Sequence, residues 1–181
     1  MALEILWGWA KEAEINPDEL LLDKNERGET ALHILVKVFH EEILQKMWDW
    51  SEEAQLSPNE IQNKLLLAKD KFGFTAWHRA AERGNLVALE ILWGWAKEAE
   101  INPDELLLDK NERGETALDV ASKKNYEAIL ETLCVWAEEA KLNPNEAKNK
   151  LLLAKDKYGN ITWHRAARFG RLKTFWGRLR K

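Results

Sequence analysis

The run from Ala2 to Leu32 returns without one change at Ala88 to Leu118, an offset of 86 residues. Looser matches keep the same offset: Trp50 with Trp136, Pro58 with Pro144, and Trp77 to Ala81 with Trp163 to Ala167. A chain that repeats itself at a fixed period does not build one shared core. Each unit buries its apolar face against its neighbours, and the units stack. The 86 residues divide again. His33, His78, Asp119 and His164 hold one position of a short recurring motif, at separations of 45, 41 and 45. The units are therefore residues 1–24 (partial), 25–69, 70–110, 111–155 and 156–181 (partial, capping). The long units differ by four residues, NEIQNKLLL after Pro58 and NEAKNKLLL after Pro144 against DELLL after Pro17 and Pro103. Four residues are about one helical turn, so the insertion predicts a longer helix with its apolar face unmoved.

Within a unit the punctuation predicts three helices. Asn16-Pro17-Asp18-Glu19, Ser57-Pro58-Asn59-Glu60, Asn102-Pro103-Asp104-Glu105 and Asn143-Pro144-Asn145-Glu146 each read as cap, first-turn proline and capping-box acid, and use all four prolines. A polar turn containing Gly28, Gly73, Gly114 or Gly159 follows. Thr30, Thr75 and Thr116 then cap a short first helix: Ala31 to Val38, Ala76 to Arg83, Ala117 to Lys124, and Thr162 to Phe169. In the last unit Ile161 replaces the threonine, so Asn160 or Thr162 is expected to cap. Gly84, Gly170 and Asn125 suit a left-handed stop; Phe39 does not, and predicts a rebuilt turn there.

The second helix covers Glu41 to Ala54, Leu86 to Ala99, Tyr126 to Ala140, and Leu172 onward. Ala2 to Ala13 is the same helix without a first helix before it, so part of its apolar face is expected to lack cover. Trp7/Trp9, Trp48/Trp50 and Trp93/Trp95 are two apart and point about 200° apart around the helix. One ring is expected against the first helix, the other against the third helix or the next unit. Cys134 stands at the first ring's position in the 111–155 unit.

Thr75-Ala76-Trp77-His78-Arg79-Ala80-Ala81-Glu82-Arg83-Gly84 resembles the ankyrin repeat, whose motif is T-P-L-H-x-A-A-x-x-G; Asp70-Lys71-Phe72-Gly73 and Asp156-Lys157-Tyr158-Gly159 resemble its turn. The resemblance covers every unit. It departs in lacking the proline, in tryptophan for leucine, and in a period above the usual figure of about 33 residues. It implies an all-α, curved solenoid with an extra short helix per repeat. It also implies a non-catalytic scaffold that binds a protein through turn tips and a concave first-helix face. The motif histidine is implied to bond the turn of the next unit.

Composition bounds what else the chain does. Ten tryptophans and 45% apolar residues suffice for a core. The net charge of -4 excludes a general affinity for nucleic acid. The charge is uneven, though: eight Lys or Arg and no acid follow Asp156, so the first 156 residues sum to -12. One cysteine, Cys134, excludes an internal disulfide and suits a reducing, intracellular compartment. No apolar run approaches the roughly 18 residues of a membrane span. No phosphate loop, nucleophile elbow or zinc spacing is present, and no cofactor is implied. The paired acids Glu12/Glu14, Glu52/Glu53, Glu98/Glu100 and Glu138/Glu139 read as solvated helix surface.

Partner contacts are expected where matching units differ. On the turn tips these are Phe72, Phe74, Tyr158 and Asn160, with Phe74 as the exposed anchor. On the first helices they are Ile34, Arg79, Asp119, Ser122, Lys123 and Arg165. Arg165, Arg168, Arg171, Lys173, Arg178 and Arg180 form a basic end that either solubilises the array or binds an acidic partner or nucleic acid. The bare face of the first helix offers self-association. An engineered or recently duplicated array with no selected ligand would carry the same identity.

Overall fold

A computed structural model describes residues 2–140, 149 and 151–168. All regular structure among these residues is helical. The helix start at Asn143 to Glu146, the stop at Phe169 and Gly170, and the helix from Leu172 lie outside them. The elements are α1 (Ala2–Glu12), α2 (Pro17–Leu22), α3 (Ala31–Val38), α4 (Glu41–Glu53), α5 (Pro58–Glu60) with a π-helical turn (Ile61–Leu66), α6 (Ala76–Arg83), α7 (Leu86–Glu98), α8 (Pro103–Leu107), α9 (Ala117–Lys124), α10 (Glu127–Glu139) and α11 (Thr162–Arg168).

First helices pack on first helices (α3 on α6, α6 on α9, α9 on α11), and each internal one packs on its own second helix. The four extra residues of the second unit do not add an α-turn. They wind Ile61–Leu66 as a π-helix that buries Ile61, Leu65 and Leu66, so the insertion is absorbed by a wider turn. Ser57 closes the expected capping box with Glu60, while Asn102 accepts from the Asp104 N–H instead.

Indoles join the units by a fixed rule. The first ring of one second helix stacks on the second ring of the next: Trp7 on Trp50 at 5.1 Å, Trp48 on Trp95 at 5.3 Å, Trp93 on Trp136 at 5.0 Å. Trp77, on a first helix, fills the corner against Trp93 and Trp136, at 6.1 and 5.6 Å. Of the two places expected for the second ring, the next unit is the one it takes, and Trp93 also meets the first helix of its own unit through Trp77. Two rings 200° apart reach forward and backward along the array, which places both in contacts between units. Cys134 is half-buried at its vacated ring position.

Lysines add a second rung at each boundary. Lys24 donates to the Lys69 carbonyl (2.9 Å), Lys69 to that of Lys110 (2.8 Å), and Lys110 to that of Lys155 (2.9 Å).

Helix ends depart from residue preference. Phe39 takes the left-handed conformation at φ 59° although it is no glycine, so the rebuilt turn expected there does not occur. Glu14, Gln55 and Glu100 do the same after the second helices. There the N–H of Ile15, Leu56 and Ile101 reaches five residues back to Ala10, Ser51 and Ala96, closing a left-handed stop without glycine.

Candidate functional site

Four turns share one construction. Asn25, Asp70, Asn111 and Asp156 each accept two backbone N–H bonds through one side-chain oxygen, from the second and fourth residues onward, at 2.7 to 3.1 Å. The glycine between takes positive φ, +73° at Gly73, where a Cβ would lie 2.5 Å from the Glu112 nitrogen. Such close approach lets the turns bond to one another. Lys71 N–H donates to Arg27 O (3.0 Å), Glu112 N–H to Phe72 O (3.3 Å), and Lys157 N–H to Arg113 O (3.0 Å). The result is a continuous row of tips, Glu26-Arg27, Lys71-Phe72, Glu112-Arg113 and Lys157-Tyr158, all exposed.

Behind the tips runs a row of buried carboxylates, each paired with a cation from a first helix. The pairs are Glu29 with Lys37, Asp70 with Arg79, Glu115 with Lys123, and Asp156 with Arg165 (2.7 Å). The acid alternates between two turn positions, because Asn25 aligns with Asp70 and Glu29 with Phe74. The array is thus built from two unit types. Burial pushes these carboxyls up, but the paired cation and the neighbouring amide groups outweigh it and hold all four below their usual range.

The motif histidines close a second set of bonds. His33 Nδ1 accepts from the Thr30 N–H (3.2 Å), and its Nε2 faces Phe74 O at 3.0 Å in the next unit. His78 repeats this with Thr75 and Glu115 O at 3.1 Å. An accepting Nδ1 requires the proton on Nε2, and burial lowers both pKa values, so both rings are neutral. Asp119 fills the third position. It accepts from the Thr116 N–H (3.0 Å) and from the Thr162 hydroxyl (2.6 Å), and forms an ion pair with Arg165. In the last unit neither expected cap acts: Thr162 is committed to Asp119, and the Asn160 amide donates to Asp156. The Ile161 N–H is taken instead by His164 Nδ1 at 3.2 Å. Among the described residues, no group of three or more His, Cys, Asp or Glu could hold a metal ion.

The residues expected to meet a partner fall into two groups. Phe72 and Tyr158 are exposed, at 57% and 74%; Ile34 and Arg168 are exposed on first helices. Arg79, Lys123 and Asn160 are partly covered by the bonds just described. Four expectations are corrected. Phe74 is buried, edge-on to His78 at 5.8 Å with the Arg79 guanidinium 4.1 Å over its face, so it is no exposed anchor. Asp119, Ser122 and Arg165 are also buried: Ser122 donates to the Asp119 carbonyl, and Arg165 is held between Asp119 and Asp156. Arg165 therefore does not belong to a basic surface. Of the other basic residues at that end, Arg171, Lys173, Arg178 and Arg180 lie outside the described residues. The buried ion pairs were missed, although a sequence signal existed: wherever the turn acid changes place, the first-helix cation moves from the place of Lys37 to that of Arg79.

No curated protein matches the chain. No helix among the described residues is long and apolar enough to cross a membrane. The family model for ankyrin repeats (3 copies) matches residues 54–146, just over half of the chain. Together with the stacked helical units and the histidine bonds between them, that match establishes that the chain belongs to the ankyrin repeat family, whose members generally mediate protein–protein interaction.

Proposed function

We propose that the chain is a non-catalytic scaffold that binds one protein partner along its row of turn tips. The observation that carries this is the bonding of tip to tip through the backbone, which fixes Phe72 and Tyr158 on an already ordered edge. A preorganised edge avoids much of the ordering cost of binding, and exposed aromatic rings are the favoured anchors of protein interfaces. An aromatic stands on every second tip, with a Lys or Arg on every tip. That pattern suits an extended segment of the partner bearing acidic residues between two apolar ones. Ile34 and Arg168, exposed on the first helices, are further contacts in this reading.

The test is the affinity of the intact chain for its partner before and after Phe72→Ala combined with Tyr158→Ala. Both rings are exposed, so helicity and melting should be unchanged, while affinity should fall at least tenfold, the loss of roughly 1.4 kcal/mol or more. Undiminished affinity would remove the tips from the reading.

A further inference from the structure

Each turn carries two residues between its Asn or Asp and its glycine, so the tips form two rows along the array. The first row reads Glu26, Lys71, Glu112, Lys157, acid and cation by turns. The second reads Arg27, Phe72, Arg113, Tyr158, cation and aromatic by turns. All eight are exposed. The step between neighbouring tips is set by what carries them. Adjacent tips are bonded backbone to backbone at 3.0 to 3.3 Å, and they lead into first helices packed on one another. One tip therefore follows the next by the separation of packed helices, about 8–10 Å. The two rings are also held in place. Arg79 lies 5.9 Å from the Phe72 centroid and Lys157 5.2 Å from that of Tyr158, yet the rings stay 57% and 74% exposed.

We propose that this edge binds a polyproline-II segment of a partner protein in which acidic and apolar side chains alternate at every third residue. The proposal rests on the reading of the tips as the partner surface and adds the register. Polyproline II turns once in three residues and rises about 9 Å in doing so. Every third side chain then faces the same way, at the step of the tips. A β-strand covers that distance in about three residues but turns its side chains over at each one, so alternate contacts would face away. An α-helix returns to one face after seven residues, about 10.5 Å, which overshoots the step. Its carbonyls are also spent on itself. A polyproline-II backbone has no internal hydrogen bonds, so its carbonyls remain for the Lys71 and Lys157 ammonium groups of the first row. Acids of the segment meet Arg27 and Arg113, and its apolar side chains cover Phe72 and Tyr158. Such segments arrive already extended and dock on aromatic rings. About ten residues span the four tips. The positions between the contacts suit proline, since an acid there would face Glu26 or Glu112.

Fluorescence anisotropy of a labelled peptide, EPPLPPEPPL, titrated with the intact chain tests this. The control is the same ten residues in the order ELELPPPPPP, which keeps composition and charge and loses the spacing. The spaced peptide should bind more tightly than the control by about tenfold or more. Arg113→Ala, at an exposed site, should leave the circular dichroism spectrum unchanged and weaken the spaced peptide by about tenfold. It should change little for a spaced peptide whose second Glu is Gln, because the partner charge is already gone. Equal binding of the two orders overturns the proposal, as does an Arg113→Ala loss that is the same with Glu and with Gln. So does a spaced peptide that fails to bind up to about 1 mM. The variant Phe72→Ala with Tyr158→Ala separates the register from the reading beneath it. If the spaced peptide fails while that variant still loses the protein partner, the register falls and the tips stand. If the spaced peptide binds that variant undiminished, the tips fall with the register.

Discussion

Trp9 and Trp95 offer a comparison in which local propensity cancels. Each sits in the same run of eleven helical residues, so replacement by alanine changes helix preference equally in both places. What differs is burial, 63% against 5% exposed. Trp95 also loses its stack on Trp48. Emptying a buried aromatic site costs about 3–5 kcal/mol. For Trp9 only about a third of the ring is removed from water, which scales to roughly 1 kcal/mol. A chain of this size loses about 2–4 °C of melting temperature per kcal/mol. Trp95→Ala should therefore melt on the order of 6–20 °C below the parent, and Trp9→Ala within about 4 °C of it. Thermal melts followed by far-ultraviolet circular dichroism give both numbers. Equal shifts would refute the claim that neighbouring units, and not the sequence of the helix itself, hold the second helix in place.

Three further outcomes follow from the same contacts. Trp93→Ala removes the ring shared by Trp77 and Trp136, and should cost about 3–5 kcal/mol in denaturant unfolding; an unchanged midpoint would place the ring outside the core. Gly73→Ala drives a Cβ into the Glu112 backbone and strains a positive φ, so it should destabilise by more than about 1 kcal/mol, whereas Gly8→Ala meets nothing and should be neutral or better. Acid should weaken the fold in two stages. His33 and His78 have lowered pKa values, so below the ordinary 6.5 the unfolded chain takes protons that the folded one refuses; near and below 4.5 the depressed Glu29, Asp70, Glu115 and Asp156 do likewise. In both windows the unfolded state binds more protons, so stability rises with pH. Unfolding midpoints that stay level from pH 7.5 to 5 would contradict the neutral histidine bonds.

Much of the fold was legible because its signals are local. Threonine before and glycine or asparagine after each first helix marked Ala76–Arg83 and Ala117–Lys124 to the residue. The π-turn was not legible, because four added residues lengthen an α-helix and widen a turn with equal economy until packing of Ile61 and Leu65 chooses. Glu14 and Phe39 adopt a conformation their side chains disfavour; at Glu14 the bond from the Ile15 N–H back to Ala10 closes it. The candidate site was half legible. Phe72 and Tyr158 follow from position in the turn. Phe74 lies one residue beyond the glycine and was misjudged, because its burial depends on a guanidinium from the next helix. Asp119 with Thr162 and Arg165 is a contact across more than forty residues. Its trace in the sequence is a paired departure, aspartate for histidine in one unit and threonine for alanine in the next.

The alternation of the turn acid sets a rule for the length of such arrays. Excising 86 residues, for instance 33–118, joins Leu32 to Asp119 across a seam whose preceding 31 residues are the ones Asp119 already follows. Every surviving boundary then has a native counterpart. Removing a single 41- or 45-residue unit would instead set like phase against like, with two glutamate-type or two aspartate-type turns adjoining. Such molecules lengthen and shorten by doublets, as a staircase built from paired left and right treads can lose a pair and still be climbed.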